Sequence, residues 1–295
     1  MRIHAEVASA LAGGVPVVAL ETTLFAHGLP SSVVHRVQQD VEAAVREEGA
    51  VPAAIAVLEG EIRVGLGPED WRAVFDRPLD KAGLRDLPGA VAKRRDAATT
   101  VASTAYLASR AGIRVFATGG IGGVHRDASR TWDVSGDLTV LSRTPVVVVC
   151  SGAKSVLDLP ATLEALETLQ VTVLGFRVDR FPAFYVADSG LPVPRVESEA
   201  EVAAIVRARD ALGLASAVVV AQPPPPGAAL DPEVHDAALA DALRAAEGVR
   251  GKEVTPVLLR RLAEATGGAA VEANRHLAVA NARLAARIAR ALVGH

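Results

Sequence analysis

Lys154 lies in the segment PVVVVCSGAKSVLDL, four residues beyond a run of β-branched side chains. Strands that are β-branched along their whole length belong in the middle of parallel sheets, and ligands of open α/β sheets gather just beyond the carboxyl ends of such strands. An amine placed there can be desolvated, which lowers its pKa and frees a lone pair to attack a carbonyl as a Schiff-base nucleophile. The bland alternative is a surface lysine at a helix start. Two more apolar runs end in groups suited to the same place. VPVVAL leads straight into Glu21 of ETTLFAHGLP, and IRVFATGG leads into the glycine loop at 119–123. If the three strands are parallel neighbours, one rim of the sheet carries an acid/base, an anion cradle and an amine.

Other motifs carry less. GGIGG does not match G-x-G-x-x-G, and GAKS lacks the Gly-Lys adjacency of a Walker A loop, so both common nucleotide readings weaken. A glycine turn after a strand can still offer backbone N–H groups to a phosphate, through the positive φ angles that glycine tolerates, or it can be a tight turn and nothing more. In TWDVSGDL, Asp133 and Asp137 stand four residues apart with Ser135 between them. They share a face on a helix, fan around one hydrated magnesium or manganese ion in a loop, or form a plain solvated acidic turn. His27 and His125 each lie near a glycine at a proposed strand end, where a histidine is more often hydrogen-bonded structure than a catalyst.

The elements that must hold these groups follow from the hydrophobic pattern. Strands are predicted over 15–20, 53–58, 114–117, 146–150, 171–174 and 217–221. Between them the spacing of apolar residues predicts helices over 31–49, 97–111, 162–169, 198–212 and 233–247, the first with Ser31 or Ser32 as N-cap and Gly49 as C-cap. Alternating strands and helices imply right-handed crossovers and a three-layer α/β/α sandwich with a mostly parallel central sheet. The four prolines of AQPPPPGAALD interrupt this pattern. Beyond them lie only helical stretches, 255–266 and about 270–293. One domain over 1–295 is expected, with a helical C-terminal portion packed back on the sheet.

A chain of 295 residues can bury a substantial core, and with 50% hydrophobic but only 3% aromatic residues that core must be aliphatic. The formal net charge of −3 gives no basic surplus for nucleic acid. Arg275, Arg283, Arg287 and Arg290 read as the solvated face of a helix. The lone Cys150 rules out an intrachain disulfide, and with no signal-peptide layout at the N-terminus and no membrane-length apolar run the expected location is the cytoplasm.

Taken in order, ALETTLFAHGLP, AATTVASTAYLA, VFATGGIGGVHRD, DVSGDL, VVVVCSGAKSVLDLPATLEALET, GFRVDRFPAFYVADSG, GKEVTPVLLRRLAEATGG and ANRHLAVANA resemble the pseudouridine-5′-phosphate glycosidase family, also called pseudouridylate synthase or indigoidine synthase A-like. The resemblance spans about residues 15–288. It implies reversible cleavage of the C–C glycosidic bond of pseudouridine 5′-phosphate to uracil and ribose 5-phosphate. It makes Lys154 the Schiff-base lysine and Glu21 the acid/base, gives Asp133 a manganese ion, and makes Lys81, Val101, His125, Ser135, Gly136, Asp137 and Asn274 substrate contacts, with Asn281 a weaker candidate than Asn274. A homotrimer is implied as well. Ala97 and Gly136 depart from the usual pattern, and neither is a catalytic group. The chemistry suits the residues: a C–C bond has no heteroatom leaving group to protonate, so the two-carboxylate device of ordinary glycosidases does not suffice, whereas an amine can hold C1′ as an iminium. The alternatives are a Schiff-base sugar-phosphate aldolase, a C-glycosidase for another base, and a non-catalytic sugar-phosphate sensor.

Overall fold

The computed structural model describes residues 1–246, 248–249 and 254–294. Strands are β1 (Arg2–Ile3), β2 (Val17–Glu21), β3 (Val51–Leu58), β4 (Glu61–Val64), β5 (Asp80–Ala82), β6 (Ala97–Thr99) and β7 (Val115–Ala117). They continue with β8 (Val124–His125), β9 (Val147–Cys150), β10 (Leu157–Asp158), β11 (Thr172–Phe176), β12 (Arg195–Val196) and β13 (Val218–Ala221). Helices in the first half are α1 (Ala5–Ala12), α2 (Thr23–His27), α3 (Ser31–Glu47), α4 (Pro68–Asp76), α5 (Leu87–Ala92), α6 (Val101–Arg110), α7 (Ala128–Thr131) and α8 (Gly136–Leu141). Those in the second half are α9 (Leu159–Thr168), α10 (Glu199–Ala211), α11 (Pro232–Ala245), α12 (Val254–Ala265) and α13 (Ala269–Val293). Glu247, the expected end of the helix over 233–247, and Gly251, Lys252 and Glu253 of the GKEV motif lie outside the described residues.

All six predicted strands form, as β2, β3, β7, β9, β11 and β13. The sheet runs β1-β4-β3-β2-β7-β9-β13-β11-β12, and every pairing from β3 to β12 is parallel. The central strands β2, β7, β9 and β13 are buried on both faces and need no polar alternation, which is why β9 reads Val-Val-Val-Cys. Helices α3, α10 and α13 lie together, with α13 against β2, β7 and β9, while α6 packs on β2, β7 and α8. The fold is a three-layer α/β/α sandwich, with the C-terminal helix packed back on the sheet as expected.

Several expectations are corrected. Residues 97–99 form β6 rather than the first turn of a helix. β3 continues beyond the end of β2, and the antiparallel pairing of Ala56 and Val57 with β6 satisfies backbone groups that β2 no longer reaches. Helix α3 starts at Ser31 after Pro30, with no side-chain cap, and Gly49 follows it in the left-handed conformation at φ +76°. The C-terminal arginines are not a merely solvated face. Arg275 pairs with Asp40 at 2.8 Å, Arg283 with Glu47 at 2.6 Å and Arg287 with Glu199 at 2.7 Å, which ties α13 to α3 and α10.

Candidate active site

Glu21 is the last residue of β2, and the chain turns immediately into α2. The turn is held by threonines. Thr22 Oγ1 donates to the carbonyl of Ile55 at 2.8 Å and accepts from the Thr99 amide at 2.9 Å, while Thr99 Oγ1 donates to the same Ile55 carbonyl and accepts from Thr104 Oγ1. The second residues of two sequence motifs, ETT and ATT, therefore stitch β2, β3, β6 and α6 together. Above this knot the Glu21 carboxylate is only 6% exposed, and its two oxygens accept from the hydroxyls of Thr23 and Thr118. Both hydroxyls are fixed, so the plane of the carboxylate is fixed.

Lys154 is reached from the neighbouring edge. Strands β7 and β9 continue past their last ladder residues as two facing loops. Ser151 donates its amide to the Gly119 carbonyl at 2.9 Å, Ile121 to Gly152 at 3.1 Å and Lys154 to Ile121 at 3.0 Å. The lysine backbone is thus held almost as firmly as a strand residue. Its Nζ donates to the carbonyl of Gly120 at 2.9 Å. Gly152, at φ +82°, allows this course, because a Cβ there would collide with the Pro182 carbonyl.

The glycine loop works by a different means from the one its composition suggests. None of Gly119, Gly120, Gly122 and Gly123 adopts a positive φ, so the loop is not a nest of left-handed turns. Its glycines are required by close approach instead. A Cβ on Gly120 would lie 2.5 Å from the Phe184 ring; on Gly122 it would strike Ser135 and Asp137, and on Gly123 it would strike Thr162. Asn281, wholly buried, donates to the carbonyls of Thr118 at 2.8 Å and Gly119 at 3.3 Å. It supports the loop from behind. Asn274, one to two turns earlier on α13, lines the cavity, and its Oδ1 has no hydrogen-bond partner.

The two aspartates of TWDVSGDL do different work. Asp137 accepts from the amides of Ala102 at 2.9 Å and Gly122 at 2.8 Å, so it docks the glycine loop to the first turn of α6. That occupation removes the fan of two carboxylates around one cation. Asp133 is half-buried, lines the cavity and accepts no side-chain hydrogen bond from the described residues. Its carboxylate faces His125 electrostatically. Burial lowers the pKa of His125, the Asp133 carboxylate opposes the shift, and the ammonium groups of Lys81 and Lys154 reinforce it. The balance favours a neutral imidazole.

Glu21, Lys81, Val101, His125, Asp133, Ser135, Gly136, Asp137, Lys154 and Asn274 all line one cavity of about 880 Å³. These ten are therefore brought to one place, while Asn281, the weaker of the two asparagine candidates, does not line it. The sequence reading omitted Thr23, Thr100, Trp132, Phe184 and Leu259, which line it too. Trp132 was in plain view inside TWDVSGDL. Phe184 could have been noticed in FPAFY, since an aromatic is scarce in this chain. Leu259 on α12 carries no such signal. Among the described residues no three His, Cys, Asp or Glu side chains gather as a metal cage.

The family model for indigoidine synthase A like protein matches residues 6–291. A protein of Symbiobacterium thermophilum named pseudouridine-5′-phosphate glycosidase is 52% identical, over 97% of this chain and 96% of its own. One of the same name from Saccharopolyspora erythraea is 51% identical, over 99% and 98%. Among solved structures, the prealnumycin C-glycosynthase AlnA in complex with ribulose 5-phosphate superposes with a TM-score of 0.92 at 38% identity, covering 99% of this chain and 97% of that one. An indigoidine synthase A-like protein of Thermotoga maritima gives 0.89 at 40% identity, covering 94% and 92%.

Proposed function

Because this chain belongs to the indigoidine synthase A like family, we infer that it is a pseudouridine-5′-phosphate glycosidase, cleaving its substrate reversibly to uracil and ribose 5-phosphate. The observation that carries the reading is the convergence of Glu21 and Lys154, borne on the carboxyl ends of parallel neighbours β2, β7 and β9, at one cavity.

In the cleavage direction the sugar ring opens and the Lys154 amine bonds to C1′. The nitrogen lone pair then forms C1′=N, the C1′–C5 electron pair leaves with the uracil carbon, and that carbon takes up a proton. Water adds to the iminium carbon, releasing ribose 5-phosphate as its aldehyde and returning the free amine. Glu21 carries protons to and from the ring oxygen and the departing base, a task that the two threonine hydroxyls serve by fixing its orientation. Lys81 supplies positive charge for the phosphate near the start of α6, since β5 pairs with β6 directly before that helix. Ser135, Gly136, Val101 and Asn274 line the remaining walls, and neutral His125 offers a hydrogen bond without competing for the anion.

Asp133 would hold the divalent cation. A single cavity-facing carboxylate that takes no side-chain hydrogen bond from the described residues suits manganese or magnesium, which keep several waters, and does not suit zinc. Such a cation, when bound, neutralises substrate charge and polarises an oxygen. Family membership also carries the expectation of a cytoplasmic homotrimer. The single cysteine, Cys150, is a buried free thiol, so the chain carries no disulfide framework of the kind that oxidising compartments favour.

One experiment separates this function from an aldolase or a sensor. The protein is incubated with pseudouridine 5′-phosphate, uracil release is followed, and ribose 5-phosphate is fixed by borohydride and located by peptide mass. Uracil release with an adduct on Lys154 is expected. Cleavage within the sugar, an adduct on another lysine, or an adduct that persists in Lys154→Met would overturn the reading.

A further inference from the structure

Trp132 is 86% exposed, the most exposed large apolar side chain among the described residues. It also lies at φ +56°, ψ +22°, a left-handed conformation that a bulky residue adopts only when its surroundings compel it. Here they do. The short turn α7 is bracketed by two left-handed residues, Asp127 at +63° and Trp132 itself, and backbone bonds pin it: Trp132 to Ala128 at 2.8 Å, His125 to Asp133 at 3.0 Å and Ser135 to Gly123 at 2.9 Å. A strained backbone and a bare indole thus coincide on one residue. That residue stands on the wall of the catalytic cavity, directly before Asp133.

The cavity has a matching need. Its volume of about 880 Å³ is at the roomy end for a small-molecule site. An iminium carbon open to bulk water would hydrolyse before uracil could be joined to it in the synthetic direction, so a site that runs the reaction both ways must hold bulk water off the imine and admit only the water that cleavage consumes.

We propose that Trp132 closes over the bound sugar phosphate, so that its indole positions the ligand and keeps bulk water from the Lys154 imine. The inference rests on the glycosidase reading of the same cavity. It makes Trp132 a positioning residue rather than a catalytic one. The C–H face of the sugar thereby supplies the contact to the indole that the free chain leaves unmade.

The chain carries its own reporter, because it has two tryptophans. Trp71 is buried, edge-on to Phe25 at 5.2 Å, stacked with Phe75 at 5.5 Å, and donates Nε1 to Glu42 at 3.0 Å. Trp132 alone should then answer to a solvent quencher. Emission and acrylamide quenching are measured on wild type and Trp132→Phe, with and without ribose 5-phosphate, alongside borohydride trapping at Lys154. Expected are a blue shift and reduced quenching on binding in wild type, both lost in Trp132→Phe. Trp132→Ala should raise the KM for ribose 5-phosphate about tenfold, with Trp132→Phe recovering most of it.

Trapping at Lys154 without any change in Trp132 emission overturns the inference and leaves the glycosidase function standing. So does an indole already shielded in the free protein, with Trp132→Ala sedimenting as a smaller species, since a second copy of the chain would then be its cover. If wild type traps no sugar and releases no uracil, the glycosidase reading fails and this inference falls with it.

Discussion

The floor of the cavity and its rim are built by opposite means. On the floor, Glu21 ends a central strand buried on both sides, and Lys154 follows a loop laced to its neighbour by consecutive backbone bonds. On the rim, Asp133 and Trp132 sit in a loop whose short ribbon, β8 with β10, stands apart from the main sheet. The proton transfer and imine formation proposed for Glu21 and Lys154 depend steeply on geometry, and groups locked by sheet and threonine bonds suit that demand. The binding of phosphate, cation and base proposed for the rim asks instead for side chains that can adjust on their pinned backbone as the ligand arrives. Changes to the floor should therefore strike turnover, and changes to the rim should strike affinity, with turnover falling as well only where the rim's cation is lost.

The largest effect is expected from Glu21→Gln. The amide keeps the shape and partners for Thr23 and Thr118 but removes the titratable proton, so kcat should fall about 10²- to 10⁴-fold. Ribose 5-phosphate should still be trapped on Lys154, and the melting temperature should hold. A variant that melts early while its folded fraction turns over normally would make Glu21 part of the scaffold and erase the contrast.

An intermediate effect is expected at Asp133. Chelation should depress wild-type turnover about a hundredfold, the scale of losing a Lewis acid worth several kcal/mol, and manganese should restore it. Asp133→Ala should be low under both conditions. Full activity of that variant in chelator would remove the cation from the rim.

The smallest effect is expected at Lys81, since the charge-assisted bonds to a phosphate proposed for it would be worth about 1.5–3 kcal/mol. Steady-state kinetics of Lys81→Met should show KM raised about tenfold or somewhat more with kcat little changed. A fall in kcat at unchanged KM would place Lys81 with the floor.

The sequence by itself determined the central sheet, because β3, β7, β9 and β13 are apolar runs, and β2 is one up to Glu21, which burial on both faces satisfies. It also determined where Glu21 and Lys154 stand, since each comes at or just after the end of such a run. The tertiary structure alone decided the rest. Residues 97–99 became a strand because β3 outreaches β2, a fact of register between distant segments. The glycines of GGIGG answer to Phe184, Ser135, Asp137 and Thr162, which no local pattern places above the loop. Asn274 and Asn281 are alike in sequence context, yet one lines the cavity while the other holds the loop from behind. The arginines of α13 looked like a solvent face until α3 and α10 brought acidic partners to them. Periodicity records how a segment meets the core, a property of that segment alone. Close approach and pairing are properties of two segments at once, and their spacing is set only when the whole chain has packed.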